Sequence, residues 1–112
     1  MPVTIYHNPG CSNSRGALAI LRARGIEPVV VEYLKTPPDR ATLKALVAKM
    51  GVPVAEVVRF KEAAAAGLSP QSSDEALLDA LAANPVLLNR PIVVTDKGAR
   101  LCRPPETVSE LL

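Results

Sequence analysis

Near its N-terminus the chain alternates strand, helix and strand signals, and that alternation leaves few folds open. Val3-Thr4-Ile5-Tyr6 is a short β-branched and aromatic run, the composition of a strand. His7-Asn8-Pro9-Gly10 is turn chemistry. An apolar face made by Ala17, Leu18, Ile20 and Leu21 then predicts a helix from about Ser14 to Arg24, with Gly25 at its C-terminal end. Val29-Val30-Val31 reads as a continuous apolar strand of the kind buried on both faces. Two strands joined through a helix in roughly thirty residues make a βαβ unit, a parallel pair with a right-handed crossover.

A second helix is expected after Thr36-Pro37-Pro38-Asp39, where Leu43, Leu46, Val47 and Met50 recur at i, i+3, i+4 and i+7; Gly51 and Pro53 end it. From Val54 to Ser73 the pattern is weak: a helical turn through Val57-Val58-Arg59, an alanine run and a loop. Ser72 and Glu75 are spaced as a capping box for a helix through Leu77, Leu78 and Leu81 that stops before Pro85. Pro91-Ile92-Val93-Val94-Thr95 is a strand with proline at its first residue, and Asp96-Lys97-Gly98 turns it back through Ala99 to Cys102. Pro104-Pro105-Glu106 starts a short last helix with Val108, Leu111 and Leu112 inward. The order βαβ, helices, ββα describes an α/β fold, a mixed sheet flanked by helices, expected as one domain over residues 1–112 with a helical insertion at about 36–84.

Composition removes several function classes. Aromatic residues make up 3% of the chain and Trp is absent, so the stacking platforms of single-strand nucleic-acid binders are missing. A net charge of +2 is too small to attract a polyanion by itself, and no nucleic-acid partner is expected. No stretch approaches the roughly 18 apolar residues of a membrane helix, and the residues from Met1 to His7 lack the basic and apolar pattern of a leader. Two cysteines without an export signal suit a reducing compartment, and a cytoplasmic location is expected. One histidine and two distant cysteines cannot assemble a metal site.

Cys11 is where chemistry is expected. It follows a strand and a turn and directly precedes a helix, where free backbone N–H groups and the positive end of the helix dipole converge. A thiol there ionises more readily, and the same N–H groups seat an anion. The Asn, Pro, Gly and Ser around it belong to a turn and not to a core. A Cys-x-x-Cys pair would need a second cysteine at residue 14, which is Ser14, so a disulfide made at Cys11 must be resolved by an outside thiol. A Cys-x5-Arg phosphatase loop would need arginine at residue 17, which is Ala17.

The run Tyr6-His7-Asn8-Pro9-Gly10-Cys11-Ser12-Asn13-Ser14-Arg15 resembles the glutaredoxin-coupled arsenate reductases, whose signature is His-Asn-Pro-x-Cys after the first strand. The likeness continues through Glu32-Tyr33-Leu34, Pro37-Pro38, Val57-Val58-Arg59, Asn89-Arg90-Pro91-Ile92-Val93-Val94 and Arg100-Leu101-Cys102-Arg103-Pro104. It implies a thioredoxin-like fold with a helical insertion and a cis bond at Arg90–Pro91. It further implies Cys11 as the nucleophile that attacks arsenate, with Arg59, Arg90 and Arg103 binding the oxyanion. Glutathione would be the co-substrate, glutaredoxin the partner that clears the mixed disulfide, and no cofactor would be bound. Guanidinium suits the task, because two anions meet and the compensating charge must not titrate away.

Around this site His7 either tunes the thiolate electrostatically or holds the turn, and Asn8 and Ser14 either bond the thiolate or shape the loop. Arg15 is close to Cys11 in sequence but is expected to point out along the helix; Cys102 is expected to be a core residue in a strand, with a resolving role as its alternative. Residues 60–72 match the longer members of the family poorly. Two other functions compete: a glutathione-dependent thiol oxidoreductase on another substrate, which the arginines disfavour, and a non-enzymatic thioredoxin-fold transcriptional regulator, which the missing second cysteine disfavours.

Overall fold

The computed structural model describes residues 2–112; Met1, the first residue of the expected domain, lies outside the described residues. The chain divides into two compact units, one comprising the chain up to Thr36 together with Arg90–Leu112, the other Pro37–Asn89.

The first unit holds a four-stranded mixed sheet of β1 (Thr4–His7), β2 (Val29–Glu32), β3 (Ile92–Thr95) and β4 (Gly98–Leu101), in the order β2-β1-β3-β4. β1 runs parallel to β2, with Ile5 opposite Val30, and antiparallel to β3, with Ile5 opposite Val93. The β3–β4 pair is the expected hairpin, with Thr95 opposite Gly98. Helix α1 (Ser12–Ala23) connects the parallel strands. It ends where Gly25 adopts φ of 76°, the left-handed conformation that glycine tolerates best, and the Ile26 N–H closes onto the Leu21 carbonyl. A 3-10 helix, Pro105–Leu111, completes the unit.

One face of this sheet carries a compact core cluster. Val3, Ile5 and Val93 pack with Ala17 and Leu21 of α1, with Val108 and Leu111 of the 3-10 helix, and with Cys102. The period-two alternation of β1 explains why Ile5 is buried and Thr4 only partly so. β2 departs from expectation. Val29-Val30-Val31 was expected to be buried on both faces, yet Val29 is 64% exposed and Val30 37%. The reason is position: β2 is an edge strand, paired only with β1, and an apolar run cannot by itself tell an edge from a centre. Cys102 follows β4 instead of lying within it; its N–H donates to the Pro91 carbonyl at 2.9 Å and its side chain is fully buried.

The second unit is helical: α2 (Arg40–Met50), a 3-10 turn at Val54–Val57, the single turn α3 (Phe60–Ala63), a 3-10 turn at Ala64–Ala66, α4 (Asp74–Ala83) and a 3-10 turn at Pro85–Leu87. Asp39 caps α2, its carboxylate accepting the Thr42 N–H at 2.8 Å, and Gly51 ends it with φ of 69°. The cap of α4 is Ser73, not the expected Ser72: the Ser73 hydroxyl accepts the Ala76 N–H at 3.1 Å. The Ser72 hydroxyl accepts the Ser69 N–H at 3.0 Å and closes the preceding turn instead. Leu43, Leu46 and Val47 of α2 and Leu77, Leu78 and Leu81 of α4 are buried, and Val58 bridges Leu88 in an antiparallel pair. Among the described residues no helix is long and apolar enough to cross a membrane.

Candidate active site

Helix α1 begins two residues earlier than its apolar period indicates, and this makes Cys11 its N-cap, with φ −102° and ψ 124°. A period reads the buried face of a helix, and Ser12 and Asn13 do not belong to that face; only Ser14, Ala17 and Leu21 are buried. The turn before the helix is closed by the Cys11 N–H on the Asn8 carbonyl at 3.0 Å, and the Cys11 carbonyl accepts the Arg15 N–H at 3.0 Å. Although its neighbours Pro9, Gly10 and Ser12 are exposed, the Cys11 side chain is itself buried, 7% exposed, because the helix entry turns it inward.

Burial alone would push the Cys11 thiol up. It is outweighed by the Ser14 N–H, by the hydrogen bond and charge of the Arg90 guanidinium, and by the Asn13 N–H, so the thiol is held below its ordinary range. Arg103 adds a second guanidinium: its Nη1 lies 3.8 Å from Cys11 Sγ and donates to the Arg90 carbonyl at 2.9 Å. The sulfur therefore faces two backbone donors and two arginines, an arrangement that stabilises a thiolate and would equally hold an oxyanion beside it.

Arg90 and Arg103 reach this place through the backbone around β3 and β4. Arg90–Pro91 is cis, and so is Arg103–Pro104, for which the sequence supplied no expectation. Arg59 belongs to the other unit, where it stands at the N-terminal boundary of α3 and its Nη2 lies 2.9 Å from Glu62 Oε1. Glu62 was not singled out in the sequence; its i, i+3 spacing from Arg59 on a helical turn is the signal that could have found it. The Asn13 N–H was also overlooked, and becomes visible only once the helix is known to start at Ser12.

His7 and Ser14 form the support beneath the turn. The Ser14 hydroxyl lies 2.6 Å from His7 Nδ1 and accepts the Asn8 N–H at 3.0 Å. Burial holds the His7 pKa below its ordinary value, Arg22 and Arg15 acting in the same direction against Glu32. The Ser14 hydroxyl, which can both donate and accept, satisfies Nδ1 and the Asn8 N–H together. Asn8 shapes the loop, its Oδ1 accepting the Gly10 N–H at 2.9 Å. Arg15 points outward as expected and donates to the Pro9 carbonyl at 2.8 Å. It borders an open groove of about 570 Å³ along α1, shared with His7, Leu18 and Arg22.

Comparisons with known proteins place the chain in a family. The family model described as the ArsC family matches residues 6–111. The arsenate reductase of Rhizobium meliloti (strain 1021) is 53% identical over 115 residues, covering 100% of this chain and 82% of the relative. The arsenate reductase of Escherichia coli (strain K12) is 44% identical, covering 98% of this chain and 80% of the relative. Among solved structures, an arsenate reductase from Vibrio cholerae superposes with a TM-score of 0.91 at 46% identity, covering 100% of this chain and 98% of that one. The mixed sheet with its flanking helices is accordingly the thioredoxin-like fold expected from the sequence.

Proposed function

This chain belongs to the ArsC family, and on that premise we propose that it is an arsenate reductase in which Cys11 is the nucleophile and glutathione and glutaredoxin supply the electrons. The observation that carries the proposal is the Cys11 sulfur held at the N-terminus of α1 with Arg90 and Arg103 against it. A lowered thiol pKa supplies the nucleophile, and the guanidinium pair offsets the repulsion between thiolate and a tetrahedral oxyanion.

In the first step the Cys11 thiolate attacks arsenic(V). A sulfur–arsenic bond forms, one arsenic–oxygen bond breaks, and that oxygen leaves as water after protonation. Arg90 and Arg103 are proposed to hold the remaining oxygens, which carry more charge in the transition state than in free arsenate. Arg59 is carried over by the Val57-Val58-Arg59 motif as a third oxyanion-binding residue.

A glutathione thiolate then attacks Cys11 Sγ. The sulfur–arsenic bond breaks with its electron pair passing to arsenic, which leaves as arsenite, and a Cys11–glutathione disulfide remains. Glutaredoxin attacks the glutathione sulfur and returns the Cys11 thiolate. Two thiols are oxidised for each arsenic reduced, so electrons balance without a second cysteine at residue 14. Both cysteines of this chain are free thiols, which suits a reducing compartment, and the cytoplasm is the proposed location.

The test is arsenate-dependent NADPH oxidation coupled through glutathione, glutaredoxin and glutathione reductase. Wild type should turn over and Cys11→Ser should not. Absence of wild-type turnover alongside a reactive Cys11 would overturn arsenate as the substrate and favour a glutathione-dependent oxidoreductase acting on another molecule.

A further inference from the structure

Gly16 lies inside α1, five residues beyond the catalytic cysteine, at a position where glycine is the poorest helix former other than proline. Its backbone is ordinary helix with no positive φ, so conformational freedom does not account for it. Space does. A Cβ placed on Gly16 would stand 3.0 Å from Pro105 Cγ and 3.2 Å from Pro105 Cβ, closer than side chains pack without displacement.

Pro105 is two residues beyond Arg103, and the segment between them is held at both ends. On one side the Cys102 N–H is bonded to the Pro91 carbonyl at 2.9 Å; on the other Pro105 opens the 3-10 helix that packs along α1. Between these anchors the Pro104 carbonyl accepts both the Thr107 N–H at 3.1 Å and the Thr107 hydroxyl at 2.7 Å. Two successive prolines have φ locked by their rings, so few torsions remain to absorb a push on Pro105. At the far end is the Arg103 guanidinium, whose contact with Cys11 Sγ is already 3.8 Å long.

We propose that Gly16 is a positioning residue: by leaving room for Pro105 against α1, it sets where Arg103 stands over Cys11 and hence how the oxyanion is held. This rests on the oxyanion reading of the site and adds to it a residue that touches neither sulfur nor substrate. Displacing Pro105 by a few tenths of an ångström moves the Arg103 backbone while α1, with its Ser14 and Asn13 donors, stays in place.

The experiment compares wild type, Gly16→Ala, Pro105→Gly, the double variant and Arg103→Ala. Two readouts are followed: KM and kcat for arsenate in the coupled assay, and the protection by added arsenate of Cys11 against iodoacetamide, measured across pH on a Cys102→Ser background. Gly16→Ala should raise KM and weaken protection by about three- to tenfold, and kcat should fall as well, since Arg103 also holds the oxygens in the transition state. The pH midpoint of alkylation without arsenate should rise no further than it does in Arg103→Ala, since only that guanidinium is displaced from the sulfur. Pro105→Gly added to Gly16→Ala should bring KM and protection back toward the Pro105→Gly single variant.

Unchanged protection in Gly16→Ala overturns the proposal. So does an alkylation midpoint raised beyond that of Arg103→Ala, which would mean that α1 itself, with its Ser14 and Asn13 donors, has moved. Failure of the double variant to recover overturns it as well. Because protection is read without turnover, an inactive wild type whose Cys11 arsenate still shields would count against the reductase reading alone and leave the positioning role to be judged on protection.

Discussion

The Ser14 hydroxyl and His7 Nδ1 lie 2.6 Å apart, fully and almost fully buried respectively, beneath the turn that presents Cys11. The hydroxyl also takes the Asn8 N–H, so one side chain ties the end of β1, the turn and the first turn of α1 together. Ser14→Ala deletes both bonds but keeps the backbone N–H that serves the Cys11 sulfur. It leaves a buried ring nitrogen and a backbone donor unsatisfied, and the expected cost is about 1–3 kcal/mol in urea denaturation. Ser14→Thr, which retains the hydroxyl, should recover part of that loss if the added methyl fits.

The two thiols should separate by pH. Alkylation follows the thiolate, so Cys11, held below the ordinary thiol range, should react with a midpoint below that of a cysteine peptide. Cys102 should titrate above it, since burial raises its pKa. Linkage gives opposite signs for folding. The depressed Cys11 contributes stability that is fully present above the unfolded-state thiol pKa and lost as pH falls through the folded pKa. The raised Cys102 contributes stability that is present below the unfolded value and lost as pH rises through the folded one. Single Cys→Ser variants followed by mass spectrometry and by denaturation across pH would resolve both.

Arg90 acts on Cys11 by hydrogen bond and by charge, and substitutions divide the two. Arg90→Lys keeps the charge and loses the forked donor; Arg90→Ala loses both. The alkylation midpoint of Cys11 should rise in the alanine variant and rise less in the lysine variant. If Arg90 also holds the transition-state oxyanion, kcat/KM for arsenate should fall by about 10²–10³ in the alanine variant, the usual loss when one such donor is removed. A fall in activity with no change in the midpoint would divorce the residue from the sulfur.

Much of this was legible from the sequence, and the failures have physical causes. Gly25 and Gly51 announce themselves because their chemistry is local: each is a left-handed residue that ends a helix. Ser72 was the expected cap of α4 and Ser73 is the actual one, because which hydroxyl reaches the helix depends on how the turn from Ser69 closes. Cys11 was visible because a strand, a turn and a helix meet there. Its burial was not, since it is the helix entry that turns the side chain inward. Arg90 and Arg103 could not be brought to the sulfur by spacing at all. They arrive from residues far along the chain, and only the family resemblance anticipated them. The start of α1 at Ser12 escaped a periodicity argument because exposed residues carry no period.

The exposure of β2 offers a test of where the core of the first unit ends. An edge strand with Val29 64% exposed has little apolar surface left to lose, so Val29→Ala should change stability by no more than about 0.5 kcal/mol. Leu21, fully buried against Ile5 and Val93 in the same unit, should behave differently: Leu21→Ala removes three buried carbons and leaves a cavity, at a cost of about 2–5 kcal/mol. Equal losses from the two substitutions in urea denaturation would mean that Val29 is covered in solution. The apolar run would then be the two-sided core strand its sequence suggests, with a face of β2 buried by something other than α1.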